Sequence, residues 1–267
     1  MPTVGLVAGE GGLAEVLAER IRAAGRRVVC VQVHGDPGRL PEVCDRYVHV
    51  PLDQALRGLQ VLQEEGVREL VLAGKVDKLR ALGALPGAAG LWPERARDRR
   101  DPELWPLVAR LLEQAGLRVL PQPTFAPDLV AGAGLLAGRE LDPREGEDLG
   151  LAFRVARQVA GAGIGQAVAV RHGVVLAVEA VEGTDAMIRR CREFGPGAVV
   201  AKVAWPGADP RFDLPVVGPQ TLEAMRWAGA TALGVEAGST LVLDRPAFEA
   251  AAAELGVSVV GWAPEGG

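Results

Sequence analysis

The residues best suited to chemistry crowd into one stretch, from Gln166 to Asp213. Glu179, Glu182, Thr184 and Asp185 follow a valine-rich run, and Lys202 falls near the end of another apolar run, Ala198 to Val203. Asp209, Arg211 and Asp213 occupy a polar passage bracketed by Pro206, Pro210 and Pro215, and proline stiffens such a loop. Carboxylates held beside lysine and arginine are what a Mg²⁺-assisted attack on a phosphoryl group requires. The metal takes oxygen ligands and keeps some waters, while the cations absorb charge on the phosphoryl oxygens. A solvated loop with local ion pairs has the same composition, and spacing does not separate the two.

A second group of chemical interest lies near the start. Gly9-Glu10-Gly11-Gly12-Leu13-Ala14 fits a relaxed G-x-G-x-x-A pattern between a strand and a helix. Glycines there let a phosphate approach the helix N-terminus, where backbone N–H groups point outward. Asp36, after the second strand, stands where a ribose-binding acid would. The bland alternative is a tight strand-to-helix turn, and Glu10 beside a phosphate is electrostatically awkward. Ala73-Gly74-Lys75 follows another strand, which places Lys75 on the same side as Gly9, at the carboxyl ends of the strands. Arginine outnumbers lysine 26 to 3 in this chain. A lysine can therefore mark a place where a compact ammonium is needed, although chance also explains three cases.

These residues need a scaffold, and the first half alternates strand and helix. Strands are expected at Val4 to Ala8, Val28 to Val33, Tyr47 to Val50, Glu69 to Leu72 and Arg118 to Leu120. Helices are expected at Leu13 to Ala24, Leu52 to Glu65 and Pro102 to Ala115. Such alternation implies a parallel sheet covered on both faces. From Pro127 to Asp148 the pattern lapses into glycines and a charged run, which reads as linker. The second half is richer in strand. A helix over Asp148 to Ala160 precedes strands at Gln166 to Val170 and Val174 to Glu179, joined by a tight turn at Arg171 to Gly173. Thr184 is expected to cap a short helix. Further strands are expected at Ala198 to Val203, Ala232 to Glu236, Thr240 to Leu243 and Val257 to Val260, with helices at Thr221 to Ala228 and Pro246 to Leu255. The fold class is α/β: a Rossmann-like parallel-sheet domain over residues 1–130 and a second α/β domain over 131–267.

Composition narrows the function. The net charge of −5 argues against a nucleic-acid binder, which needs a basic face. No run of 18 apolar residues is present, and the N-terminus reads as a strand rather than a leader, so a cytoplasmic protein is expected. Cys30, Cys44 and Cys191 lack CxxC spacing and read as core residues in a reducing compartment. His34, His49 and His172 are scattered and give a Ser/His/Asp triad little support.

The motifs taken together resemble a known family. Glu182-Gly183-Thr184-Asp185-Ala186-Met187 with Arg189 and Arg190, and Arg211-Phe212-Asp213-Leu214-Pro215-Val216-Val217-Gly218-Pro219 with Lys202 nine residues upstream, are similar to signatures of the LpxI-type UDP-2,3-diacylglucosamine pyrophosphatases. Gly165-Gln166-Ala167-Val168, Val235-Glu236-Ala237-Gly238, Leu243-Asp244, the first glycine turn and Ala73-Gly74-Lys75 agree with it. The resemblance spans essentially the whole chain. It implies two domains with the ligand held between them. It also implies attack of water on the α-phosphorus of UDP-2,3-diacylglucosamine with Mg²⁺, a step in lipid A synthesis.

The residue roles that the resemblance implies are as follows. Asp213 is the essential carboxylate, as metal ligand or base, with Asp209 and Glu182 as partners. Lys202, Arg189 and Arg190 neutralise phosphate charge, and Arg211 binds substrate. Thr184 and Asp185 contact the sugar phosphate, Gln166 binds substrate, and Gly9, Gly11, Gly12 and Lys75 serve the nucleotide. The lipid substrate implies peripheral contact with the inner face of a membrane, to which Trp92 and Pro93 could contribute. Leu104, Trp105, Leu107, Val108, Leu111 and Leu112 could house acyl chains, and a homo-oligomer is left open. The chain departs from the pattern at Trp205-Pro206-Gly207-Ala208-Asp209, where Lys-Pro-Gly-Gln-Asp is expected. Two other readings stand beside this one: an NAD(P)-dependent Rossmann oxidoreductase built on Gly9 to Ala14 and Asp36, and a non-catalytic binder of nucleotide-sugar lipids.

Overall fold

A computed structural model describes residues 1–75, 109–212 and 214–263. The chain packs as two units, Met1–Pro127 with Asp209–Asp213, and Asp128–Ala208 with Leu214–Gly267. The short segment at 209–213 thus goes with the first unit, although it falls late in the sequence.

The first unit is a five-stranded parallel sheet of β1 (Thr3–Ala8), β2 (Arg27–Gln32), β3 (Arg46–His49), β4 (Glu69–Ala73) and β5 (Arg118–Val119). The strands are all parallel, as the alternating sequence predicts, and their order β3-β2-β1-β4-β5 is that of a Rossmann-like sheet. The chain reverses its direction of winding between β1 and β4, so the turns after these two strands stand side by side. Helix α1 (Leu13–Ala23) buries Leu13, Leu17, Ala18 and Ile21, the i, i+4 stripe of an amphipathic helix. Helices α2 (Leu40–Val43) and α3 (Ala55–Glu64) follow β2 and β3. The helix expected over Pro102–Ala115 is described only at 109–114, where Ala109 is buried and Leu111 exposed. Trp92, Pro93, Leu104, Trp105, Leu107 and Val108 lie outside the described residues, and of the residues expected to house acyl chains only Leu111 and Leu112 are described, Leu112 being packed against the core of this unit.

The second unit is built on a six-stranded mixed sheet. Its strands are β6 (Gly134–Ala137), β7 (Ala167–Arg171), β8 (Val174–Val178), β9 (Val199–Lys202), β11 (Ala232–Glu236) and β13 (Ser258–Trp262), in the order β6-β13-β11-β9-β7-β8. Strands β9, β11 and β13 are parallel, whereas β7 runs against both β8 and β9. Strands β10 (Val216–Val217) and β12 (Leu241–Val242) form a separate parallel pair. Alternate residues of each strand go to opposite faces. Ala167 and Ala169 pack with Val200, Leu233, Met187, Ile188 and Leu222 on the face covered by α5 (Thr184–Arg190), α6 (Pro219–Ala228) and α7 (Arg245–Leu255). Val168 and Val170 pack with Val199, Ala201, Leu149, Phe153 and Ala156 on the face covered by α4 (Pro143–Gly161). All three cysteines are buried, as expected of core residues.

The passage from Pro127 to Asp148 is not linker throughout. It holds edge strand β6, antiparallel to β13, and the start of α4, five residues earlier than the apolar periodicity indicates. The start is set by polar chemistry. Asp142 accepts from the Glu145 N–H at 2.9 Å, and the Glu145 carboxylate accepts from the Asp142 N–H at 3.0 Å, with Pro143 in the first turn. Arg139 grips Glu145 through two nitrogens at 2.6 and 2.7 Å. Burial works to raise the Glu145 pKa, but Arg139, Thr231 and the Asp142 N–H outweigh it and hold the carboxyl below its usual 4.5.

A depressed folded pKa stabilises the fold above the unfolded value and loses that contribution as pH falls through the folded one. Glu145→Gln is therefore expected to lower the melting temperature by a few degrees at pH 7, a loss of about 1 kcal/mol. That difference should shrink as pH drops from about 5 toward 3, which thermal denaturation across pH reads directly.

Candidate active site

One edge of the second sheet gathers its polar residues. Because β7 is antiparallel to both neighbours, its start lies beside the carboxyl ends of β8 and β9. Gln166 precedes β7, Glu179 follows β8, Lys202 closes β9 and Glu236 closes β11. Glu179 is 8% exposed, Thr184 4% and Lys202 9%. The two Glu179 carboxylate oxygens accept from the Gln166 N–H at 3.1 Å and the Thr184 hydroxyl at 3.0 Å. Lys202 donates from Nζ to the Val216 carbonyl at 2.8 Å. Glu236 accepts the Ala204 N–H at 2.9 Å and stands 3.6 Å from Arg157. Gly165 allows the close approach of strands here, since a Cβ would collide with the Glu179 carbonyl. The Gln166 Nε2 is buried and has no hydrogen-bond partner among the described residues.

Thr184 does not cap α5 as the sequence suggested. Gly183, at φ +85, occupies the cap position, and the Thr184 hydroxyl turns to Glu179 instead. Glu182 precedes this helix and pairs with Arg190 at 2.8 Å, while the Arg190 guanidinium also reaches the Val178 carbonyl. Burial pushes the Glu182 carboxyl up, yet its own N–H, Arg190 and the Ala180 N–H together bring it below its ordinary value. Asp185 is half-buried and Arg189 exposed.

In the first unit, the turns after β1 and β4 join. Glu10 and Lys75 exchange backbone hydrogen bonds at 2.8 Å each, and the Gly9 N–H donates to the Ala73 carbonyl at 2.8 Å. A Cβ on Gly9 would run into the Lys75 carbonyl, whereas Gly11 has open space around it but a φ of +111°. Gly9 is thus a packing requirement and Gly11 a conformational one. Gly12 precedes α1 without a side-chain cap, and the Lys75 side chain is exposed. Asp36 is exposed, and its carboxylate accepts the Gly38 N–H at 2.8 Å in a local turn. Gly9→Ala is expected to cost about 1–3 kcal/mol, because backbone rather than a flexible side chain must yield. The melting temperature reports it.

Asp209 and Arg211, expected in the second domain, pack with the first. The Asp209 carboxylate accepts from the Arg211 side chain at 2.7 to 3.1 Å and from its backbone N–H at 2.9 Å. Arg211 also pairs with Glu113 at 2.9 Å. The guanidinium holds the Asp209 carboxyl below its usual range, against the effect of burial. Phe212 is buried among Leu70, Leu72 and Val119, and Pro210 accepts the Gln122 N–H at 2.8 Å. Asp213 lies outside the described residues. Trp205, the departure noted above, is a core residue packed with Phe153 and Ala232, and Ala208 leans on the same cluster.

Among the described residues, no group of three or more His, Cys, Asp or Glu could hold a metal ion. Asp209, one of the two carboxylates expected to hold the metal, is engaged by the Arg211 guanidinium. The residue least visible from sequence is Glu179, whose type was noticed but whose partners lie 13 residues back and 5 ahead. The signal was an acid immediately following an apolar strand. Gln32 was missed altogether: it is fully buried, and its amide bonds three carbonyls of the β2 turn, 34 to 36.

Fold and site define a two-unit α/β protein, Rossmann-like in its first unit, with a buried polar edge in its second. Residues 3–129 match the LpxI N-terminal domain and residues 132–260 the LpxI C-terminal domain, so the chain belongs to the LpxI family. It is 32% identical over 282 aligned residues to the UDP-2,3-diacylglucosamine pyrophosphatase LpxI of Caulobacter vibrioides, covering 99% of both chains. Among solved structures, the biotin carboxylase subunit of a pyruvate carboxylase aligns at 13% identity and a TM-score of 0.28, over 68% of this chain and 39% of that one. That likeness is too slight to carry a comparison of folds. The oxidoreductase reading gives way to family membership. Among the described residues, no helix is long and apolar enough to cross a membrane.

Proposed function

We propose that this protein hydrolyses UDP-2,3-diacylglucosamine to UMP and 2,3-diacylglucosamine 1-phosphate, a step of lipid A synthesis. The observation that carries the reading is end-to-end similarity to a pyrophosphatase with that name, 32% identical across both units. Water attacks the α-phosphorus, the bond from that phosphorus to the bridging oxygen breaks, and the sugar phosphate leaves. In this reading Asp213 takes the proton from water. Lys202, Arg189 and Arg190 offset charge on the phosphoryl oxygens. Gln166, Thr184 and Asp185 hold the sugar phosphate, and the glycine turns at Gly9 to Gly12 and Gly74-Lys75 serve the nucleotide. Asp209 and Arg211 act as a mutually braced pair, and Glu182 orients Arg190.

Phosphorus NMR of the reaction in ¹⁸O-labelled water tests both parts. Label in UMP supports attack at the α-phosphorus, label in the sugar phosphate moves the attack to the other phosphorus, and no cleavage removes the reading. A magnesium requirement belongs to the same proposal. EDTA is expected to abolish turnover and added Mg²⁺ to restore it, and full activity in EDTA would discard it. We further place the protein at the cytoplasmic face of the membrane that holds its substrate, as a peripheral contact without a spanning helix. Co-sedimentation with vesicles carrying the lipid substrate checks that.

A further inference from the structure

We propose that Glu179 is a positioning residue of this site, fixing Gln166 and Thr184 so that the Gln166 amide meets an acceptor oxygen of the bound sugar phosphate. The inference rests on the hydrolase reading above and adds a residue to it. The geometry is closed on three sides. One Glu179 oxygen takes the Gln166 N–H at 3.1 Å, the other takes the Thr184 hydroxyl at 3.0 Å, and the Glu179 N–H donates to the Ala167 carbonyl at 2.9 Å. A carboxylate this buried is tolerated only when its oxygens are hydrogen-bonded, and here the two named donors come from different elements, the start of β7 and the first turn of α5. It therefore ties the strand that carries Gln166 to the helix that carries Thr184.

The independent observation is the Gln166 side chain. Among the described residues its buried Nε2 meets no partner, and a buried donor left unmade is costly unless a ligand supplies the acceptor. A sugar-phosphate oxygen has that chemistry, and a site that presents a buried donor discriminates strongly against a ligand lacking its partner.

The test is a double-mutant cycle on the full-length protein. Gln166→Leu is expected to lower kcat/KM for UDP-2,3-diacylglucosamine by about 10–100-fold. Glu179→Ala should give a similar loss, and the double variant should be little worse than either, because both remove the same contact. Glu179→Gln, which keeps one acceptor, should recover part of the activity. Losses that multiply in the double variant and follow the melting temperature would overturn the proposal, as would a normal kcat/KM for Gln166→Leu. Should Glu179→Ala fail to fold, Gln166→Leu and Thr184→Val carry the test. The dissociation constant for 2,3-diacylglucosamine 1-phosphate separates this idea from the reading beneath it. A wild-type protein that binds this product without turnover removes the hydrolase, whereas unchanged binding by Gln166→Leu removes the positioning role.

Discussion

Lys202→Met is expected to lower turnover by about 10²–10³, the scale for losing one preorganised group that stabilises developing phosphoryl charge. Methionine keeps most of the apolar stem and removes the ammonium. Lys202 is 9% exposed and held at the end of β9 by the Val216 carbonyl, so its charge is fixed before substrate arrives. A preorganised charge costs nothing to align during the reaction, which is why the loss should appear in kcat more than in KM. The variant also leaves the Val216 carbonyl short of a donor, at a cost of about 1–3 kcal/mol. Kinetics below the variant's melting temperature separate the two effects. Lys202→Arg is not expected to restore activity, because a planar fork does not fit where a compact ammonium is enclosed. Normal kcat in Lys202→Met would remove this cation from the chemistry.

Asp213→Ala is expected to lower turnover by about 10²–10⁴, the range for losing a group that assists proton transfer. The reasoning is chemical and sequential: a carboxylate in a proline-bracketed passage, two residues after an arginine and eleven after Lys202. Asp213→Asn keeps size and hydrogen bonding but cannot take a proton, so it should be nearly as slow as alanine. A single-turnover measurement reports the chemical step without product release. An asparagine variant with close to normal rate would show that Asp213 holds substrate rather than moving a proton.

The parts of this molecule differ in how far the sequence reveals them, for physical reasons. Parallel strands buried on both faces read as continuous apolar runs, so β1, β2 and β4 are plain in the text, with the strand-helix alternation that orders them. Strand β6, only Gly134–Ala137, opens on a glycine, and β10 is two residues long, too little for any period to show. The start of α4 is written in polar caps rather than apolar spacing, and Asp142, Pro143 and Glu145 resemble a linker when the capping box goes unread. At the site, residue types such as Lys202, Gln166 and Thr184 were legible. Glu179 was seen without its role, because strand pairing rather than sequence spacing brings it to Gln166. The one hint that 209–212 belongs with the first unit was Phe212, a large aromatic set within a polar passage.

That borrowed segment has a consequence for how the gene can be cut. The polypeptide passes between its two units three times, near residues 127, 208 and 213, so no single break yields two whole pieces. A fragment ending at 127 would lose the aromatic plug of its own interior, and a fragment beginning at 128 would carry that plug with nothing to fill. A shuffled copy of the first unit would need the 209–213 loop to come with it.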